Sequence, residues 1–464
     1  MAALTELGPD FYRALRFLVV DDQPAARQGL RICAQTMGAF LVEFSAGYQD
    51  AIARIRRAPP DVILCDYQLG GERSGQQLLE ELRRFDMLAD EAVFIMVTAE
   101  QAYEQVVAVV ELAPDDYIIK PFSPERLKLR LDRVLRRKRF FQPLYVAKRA
   151  ADFPAAERFL DESRDTDEGQ LHRFELMRQQ AEVQILKGDA EAAERVFDEI
   201  LAAHAFPWAR AGKARALVGQ NRLQEAREIM DRVVIDAPMY FGGHDLKTQI
   251  CMDMGDHAEA QRTVEEASRK TERNYVRKRL LADAALLNGD TATAVEAMAD
   301  VVRNDTTPGA VTVADRLMLV RSLVEAGTLM EAERALDEIT PQRLETAGLD
   351  ERASWQALRA LMKPDAERAR VAGLRSAWMA TPFDAQTRLD IVRAAMALGD
   401  RELATAMTHA LFASDEIRRV FKVVRDLFEA QGMSPVFREL QRRAALQKIS
   451  HGDDVPPEAP LQGV

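Results

Sequence analysis

Asp21, Asp22, Asp66, Thr98 and Lys120 are the residues of this sequence whose types could do chemistry together. Asp66 stands out in "DVILCDYQLGG" (61–71), where an apolar run stops on a carboxylate and gives way to a Gly-rich loop. Three carboxylates gathered in one place repel one another, and each resists ionising. A hard divalent cation relieves that repulsion, and an all-oxygen donor set without His or Cys favours Mg²⁺. A carboxylate beside such a cation, a hydroxyl and a lysine forms a site for phosphoryl transfer onto the carboxylate. That reaction needs positioning and charge neutralisation more than covalent machinery.

Whether these side chains meet depends on the elements that carry them. "RFLVV" (16–20) leads into Asp21 and Asp22, "DVILC" (61–65) into Asp66, and "AVFIMV" (92–97) into Thr98, Ala99 and Glu100. "DYIIK" (116–120) ends in Lys120, ahead of Pro121 and Phe122, and "FLVEF" (40–44) is a further run of the same kind. Between the runs lie "PAARQGLRICAQTM", "YQDAIARIRRA", "SGQQLLEELRRF" and "QAYEQVVAVVEL", each apolar at helical spacing. β-Branched runs alternating with amphipathic helices predict a doubly wound α/β domain with a five-stranded parallel sheet. Ligands of such sheets sit outside the carboxyl ends of the strands, which is where these residues fall.

Beyond residue 122 the strand pattern stops and the sequence repeats. "KGDAEAAERVF" (187–197), "GQNRLQEAREIM" (219–230), "MGDHAEAQRTV" (254–264), "NGDTATAVEAM" (288–298) and "AGTLMEAERAL" (326–336) align Ala193, Ala226, Ala260, Ala294 and Ala332, at intervals of 33, 34, 34 and 38. More distant copies align Ala156 and Ala404. A helix–turn–helix period near 34 is the tetratricopeptide signature and predicts an all-α solenoid over 140–449. Alanine there lets antiparallel helices approach closely. Phe197, Met230, Val264, Met298 and Leu336, four residues on, cover the next turn of the same face. Gly or Asn in the turn permits a left-handed cap, and Pro238 stands where a second helix would end. Near-equal intervals disfavour an irregular bundle with chance spacing. No repeat can be placed between 341 and 395.

"ERLKLRLDRVLRRKRFFQPLYVAKRAA" (125–151) joins the halves and reads as the last helix of the α/β domain, interrupted only by Pro143. Its "LRRKR" (135–139) suggests either phosphate binding or, more commonly, a solvated helix face. The Pro-rich tail, 450–464, is expected to be disordered.

A formal net charge of −11 argues against nonspecific nucleic-acid binding. Cys33, Cys65 and Cys251 show no CxxC spacing, which fits a reducing cytoplasm. "MAALTELGPDFYRALRF" lacks a signal-peptide core, and no apolar run approaches a membrane span. No histidine precedes His172 and HExxH is absent, which disfavours zinc.

"LVVDD", "DVILCDYQLGG", "IMVTAE" and "DYIIKPF" occur in the order and spacing of four motifs, and on them residues 15–139 resemble the response-regulator receiver domain of two-component signalling. The resemblance implies a flavodoxin-like fold with Asp66 as phosphoacceptor. It implies Mg²⁺ held by Asp22, Asp66 and the backbone carbonyl of Gln68, with Asp21 acting through the metal's water shell. Lys120 would pair with the phosphoryl oxygens, Thr98 would hydrogen-bond the installed group, and Tyr117 would be the switch aromatic that turns inward with Thr98. A cis peptide bond would precede Pro121. The phosphoryl donor would be a histidine kinase or phosphotransfer protein, and the only chemistry the chain's own phosphorylation and dephosphorylation. Gly70 stands where proline is common and is expected to loosen the loop, while Gln68 and Glu100 flank the phosphoryl position. Cys65 reads as a packing residue rather than a redox centre.

The repeats offer a concave surface for a downstream protein, with a receiver homodimer also open. A Mg²⁺-dependent phosphatase and an RNA-binding helical repeat are the competing readings. Few aromatics and the acidic balance disfavour RNA.

Overall fold

The computed structural model describes residues 7–70, 74–84, 87–99, 114–271, 274–303, 311–414 and 417–451. β1 (Arg16–Val20), β2 (Leu41–Ser45), β3 (Val62–Asp66), β4 (Val93–Thr98) and β5 (Asp116–Ile119) form one parallel sheet in the order β2-β1-β3-β4-β5. α1 (Pro9–Arg13) precedes the sheet, and α2 (Pro24–Thr36), α3 (Tyr48–Arg57) and α4 (Gly75–Arg84) alternate with its strands. The expected helix "QAYEQVVAVVEL", Glu100 and the tail beyond His451 lie outside the described residues.

β3 and β4 are buried along their whole length, so both read as continuous apolar runs rather than as alternation. Their side chains still part by period two into two cores. Val62, Leu64 and Ile95 face a core shared with Leu30 of α2, while Ile63, Cys65, Phe94 and Met96 face one shared with Leu78 and Leu79 of α4.

α5 (Pro124–Arg149) is one helix that contains Pro143, which removes a single ladder hydrogen bond. Ser123 caps it, its side chain accepting from the Arg126 N–H. Leu127, Leu131 and Val134 belong to a sheet core. Phe141, Leu144 and Ala147 belong to the next core along, with Ala156, Leu160 and Leu176. The "LRRKR" stretch is a solvated face only in part, with Arg139 exposed. Leu135 is buried, and Lys138 and Arg137 reach Asp115 at 2.8 and 3.4 Å. Arg130 holds Asp116 at 2.5 Å, and Arg149 holds Glu91.

The chain divides into two compact units, Met1–Lys247 with Glu266–Arg277, and Thr248–Glu265 with Lys278–Val464. Beyond α5 every described element is helical, in successive pairs such as Arg173–Leu186 with Ala190–Ala203 and Pro207–Gly219 with Leu223–Asp236. Ala156, Ala193, Ala226, Ala260, Ala294, Ala332 and Ala404 are each 0% exposed, and each is the fourth residue of its helix. The turns before the last six hold Gly188, Asn221, Gly255, Gly289, Gly327 and Gly399, all with positive φ.

The stretch with no legible repeat, 341–395, is helical as well, with Leu349–Met362 and Pro364–Ala380 separated only by Lys363. The fourth residue of the second helix is Glu367, a buried carboxylate that accepts from Gln356 Nε2 at 2.9 Å and Arg359 Nε at 2.8 Å. The small residue and the turn glycine that mark the other pairs are both missing there, so the pattern is invisible although the helices persist. No helix among the described residues is long and apolar enough to cross a membrane.

Candidate functional site

Four of the five strands deliver these residues at their carboxyl ends. Asp66 and Thr98 are the last residues of β3 and β4, while Asp21 and Lys120 directly follow β1 and β5. The parallel order puts these ends side by side, and the structure brings the five predicted residues to one end of the sheet. Carboxylate oxygens of Asp21, Asp22 and Asp66 all lie within 4.8 Å of one another. Lys120 Nζ donates to Asp21 Oδ2 and to Asp66 Oδ2, both at 2.8 Å. Thr98 is buried, and its carbonyl accepts from the Lys120 N–H at 2.7 Å. The Lys120–Pro121 bond is cis.

Burial pushes the Asp66 carboxyl above its usual range. Lys120 opposes that shift and Asp21 adds to it. Burial alone would lower the Lys120 pKa, but its hydrogen bonds to Asp21 and Asp66 outweigh this and raise it. The site thus contains a carboxylate more basic than usual and a firmly charged ammonium. An all-oxygen trio carrying more negative charge than one lysine neutralises fits a hard divalent cation of the Mg²⁺ kind.

The remaining predicted residues sit at the rim. The Gln68 N–H donates to Asp66 Oδ1 at 3.4 Å, so this residue reaches the site through its backbone. Tyr117 is half-buried, with the Arg130 guanidinium 5.9 Å from its ring centroid. Cys65 is fully buried and burial raises its pKa, in keeping with a packing role.

Gly70 has a steric role at the site. Its φ is +65°, and a Cβ there would stand 2.2 Å from Asp22 Oδ2. Glycine at this position serves close approach by the Asp22 carboxylate, where proline, with φ fixed near −65°, could not stand.

Two contributors went unread in the sequence. A Cβ on Gly75 would lie 2.1 Å from the Asp66 carbonyl oxygen, so α4 can start against β3 only with glycine there. Arg27 Nη1 donates to the Asp21 carbonyl at 2.6 Å and ties α2 to the acidic loop. The signals were a glycine at a helix start and an arginine one and a half turns after an Asp pair, both too common to single out.

Two stretches of the chain match known protein families. The response regulator receiver domain family matches residues 17–132, and the tetratricopeptide repeat family matches residues 184–250. The chain is 38% identical over 124 residues to the phosphate regulon transcriptional regulatory protein PhoB of Escherichia coli (strain K12), covering 27% of this chain and 53% of that protein. It is 34% identical over 134 residues to the transcriptional regulatory protein BaeR of E. coli O6:H1, covering 29% and 53%. The chain therefore spans about half the length of these relatives. Among solved structures, a CheY-like response regulator receiver domain protein from Methanospirillum hungatei JF-1 is 26% identical, with a TM-score of 0.25, covering 27% of this chain and 96% of that one. At its amino-terminal end this chain carries a response regulator receiver domain, and behind it a tetratricopeptide repeat array.

Proposed function

We propose that the chain is a phosphorylation-regulated response regulator whose output is protein docking by its repeats. Asp66 accepts a phosphoryl group from a histidine kinase or phosphotransfer protein in the cytoplasm. The carrying observation is the position of Asp66, 2.8 Å from Lys120 Nζ and beside Asp21 and Asp22. Asp22, Asp66 and the Gln68 carbonyl, with Asp21 nearby, would hold Mg²⁺, which would supply charge neutralisation for the incoming phosphoryl oxygens.

The chain's own residues do the rest. An Asp66 carboxylate oxygen forms the new P–O bond as the donor's bond to phosphorus breaks. Lys120 takes one phosphoryl oxygen. The Thr98 hydroxyl pairs with another, and Tyr117 follows it inward. β5 lies against α5, which runs from the sheet core into the core of the first repeat, so the state of the site has a covalent path to the array. The chain's chemistry is confined to gaining and hydrolysing its own phosphoaspartate.

The test is intact-mass measurement of the full chain incubated with acetyl phosphate and Mg²⁺. One phosphoryl adduct is expected, absent from Asp66→Asn and from samples with a chelator. Equal labelling of Asp66→Asn would remove Asp66 as the acceptor.

A further inference from the structure

Proline inside a helix removes the donor for the carbonyl four residues earlier and crowds that carbonyl, so a helix bends there unless something holds it straight. α5 carries Pro143 in its interior, which leaves the Arg139 carbonyl without its ladder donor. The place matters because α5 changes partners close by. Leu131, Val134 and Leu135 pack in a core of the sheet, whereas Phe141, Leu144 and Ala147 pack with Ala156, Leu160 and Leu176 of the first repeats. Pro143 therefore lies just past the point where the helix leaves the receiver.

Two successive residues of the loop before β4 hold α5 on both sides of this weak point. Lys138 Nζ, before the proline, donates to the Asp90 carbonyl at 2.6 Å and pairs with Asp115 at 2.8 Å. Arg149, beyond it, grips the Glu91 carboxylate with both Nη1 and Nη2. By subtraction Lys138 and Arg149 are 11 positions apart. That is about three turns of an α-helix, so both project from one face. Tyr145 shares that face, with Lys138 Nζ 5.9 Å from its ring centroid. The two holds differ in strength. The Lys138 and Asp115 side chains are 12% and 6% exposed, so the hold before the proline is shielded from water and salt. Those of Arg149 and Glu91 are 50% and 28% exposed, so the hold beyond it is the one that solvent and ions can open. Lys148, next in sequence, turns to Gln179 and Glu182 of the repeats at 2.9 and 3.1 Å. Adjacent residues of α5 thus grip the array and the receiver.

We propose that Pro143 is a hinge in α5 and that the Arg149–Glu91 pair is the latch that keeps it closed. With the latch formed, helices Phe153–Ser163 and Arg173–Leu186 stand in one fixed direction from the receiver. With it open, α5 bends at Pro143 while Lys138 keeps the first part of the helix on the sheet, and the repeat helices swing with Leu144 and Ala147. Opening breaks one partly exposed ion pair and leaves the sheet core untouched, so ionic strength sets the balance. Neither hinge nor latch depends on phosphorylation of Asp66.

The test is the distance, by pulsed electron resonance on the full chain, between nitroxide labels on Asp10→Cys in the receiver and Glu162→Cys in the first repeats. Both positions are exposed, while Cys33, Cys65 and Cys251 are buried. The wild type at low salt should give one distance. Arg149→Glu should add a second population and speed amide exchange across 144–149 about threefold, the scale of a partly exposed pair. Salt at about 1 M, where the Debye length is about 3 Å, should do the same to the wild type. The double swap Arg149→Glu with Glu91→Arg should restore the single distance. Pro143→Ala added to Arg149→Glu should restore it too, which loss of an ion pair from a hingeless helix would not require. If Arg149→Glu loses helix content by circular dichroism, Glu91→Gln is read in its place. A single unchanged distance in the latch variant overturns the latch, and a second population that survives Pro143→Ala overturns the hinge.

Discussion

In the receiver, five residues carried by four strands lie at one end of the sheet, and glycine is needed at two positions because Asp22 and the Asp66 carbonyl press against the backbone. In the repeat array the same small device recurs seven times, a fully buried alanine four residues into a helix. The first arrangement concentrates function where sub-ångström placement matters. The second spreads stability over nearest-neighbour interfaces and tolerates irregular copies. Glu367 shows that tolerance, since a buried carboxylate replaces alanine and is accommodated by Gln356 and Arg359.

Substitutions can break this contrast, and the largest effect belongs to the receiver. Asp66→Asn should abolish phosphoryl uptake outright, while the thermal midpoint stays within about 4 °C. The carboxyl is disfavoured by burial and by Asp21, so losing its charge is tolerable, and Lys120 keeps Asp21 as a partner. A collapse of the fold in that variant, seen by scanning calorimetry, would show that the site is as structural as the array.

Next comes Gly70→Ala, which puts a methyl into the space of Asp22 Oδ2. Mg²⁺ affinity, followed by tryptophan-independent isothermal titration, should fall roughly 10- to 100-fold, the range for displaced ligand support. Unchanged affinity would mean that the loop yields freely and that close approach is not needed.

In the array the effects are energetic rather than functional. Ala226→Leu overpacks a fully buried position and should cost about 1–3 kcal/mol in urea unfolding, with Asp66 phosphorylation intact. Loss of phosphorylation would show that array packing and site placement are not separable. The smallest effect is expected from Glu367→Ala, which restores the repeat's usual residue but removes two hydrogen bonds, about 1 kcal/mol net. A cost several times larger would mark Glu367 as a specific fixture of the array.

The site was legible because strand ends announce themselves. A buried strand reads as an unbroken apolar run, and the first carboxylate, hydroxyl or ammonium after it must lie at the sheet's edge, as Asp21, Asp66, Thr98 and Lys120 do. The repeats were legible for a similarly local reason. Close helix packing admits only alanine, and a left-handed turn favours Gly or Asn, so Ala193 to Ala332 and Gly188 to Gly327 mark the period.

Where either local rule was relaxed, sequence reading stopped. Glu367 hid a helical pair, and the cations of "LRRKR" gave no sign that Asp115 would claim Arg137 and Lys138. The sequence by itself therefore determined the two fold classes and the chemistry gathered at the strand ends. Only the tertiary structure decided which glycines face Asp22 and Asp66, where the basic run spends its charge, and that Arg419 meets Asp253 across 166 residues. Periodicity within one element is a local property that the chain writes down directly. Contacts between distant elements depend on how all the intervening helices and strands pack, and no single stretch of sequence records that.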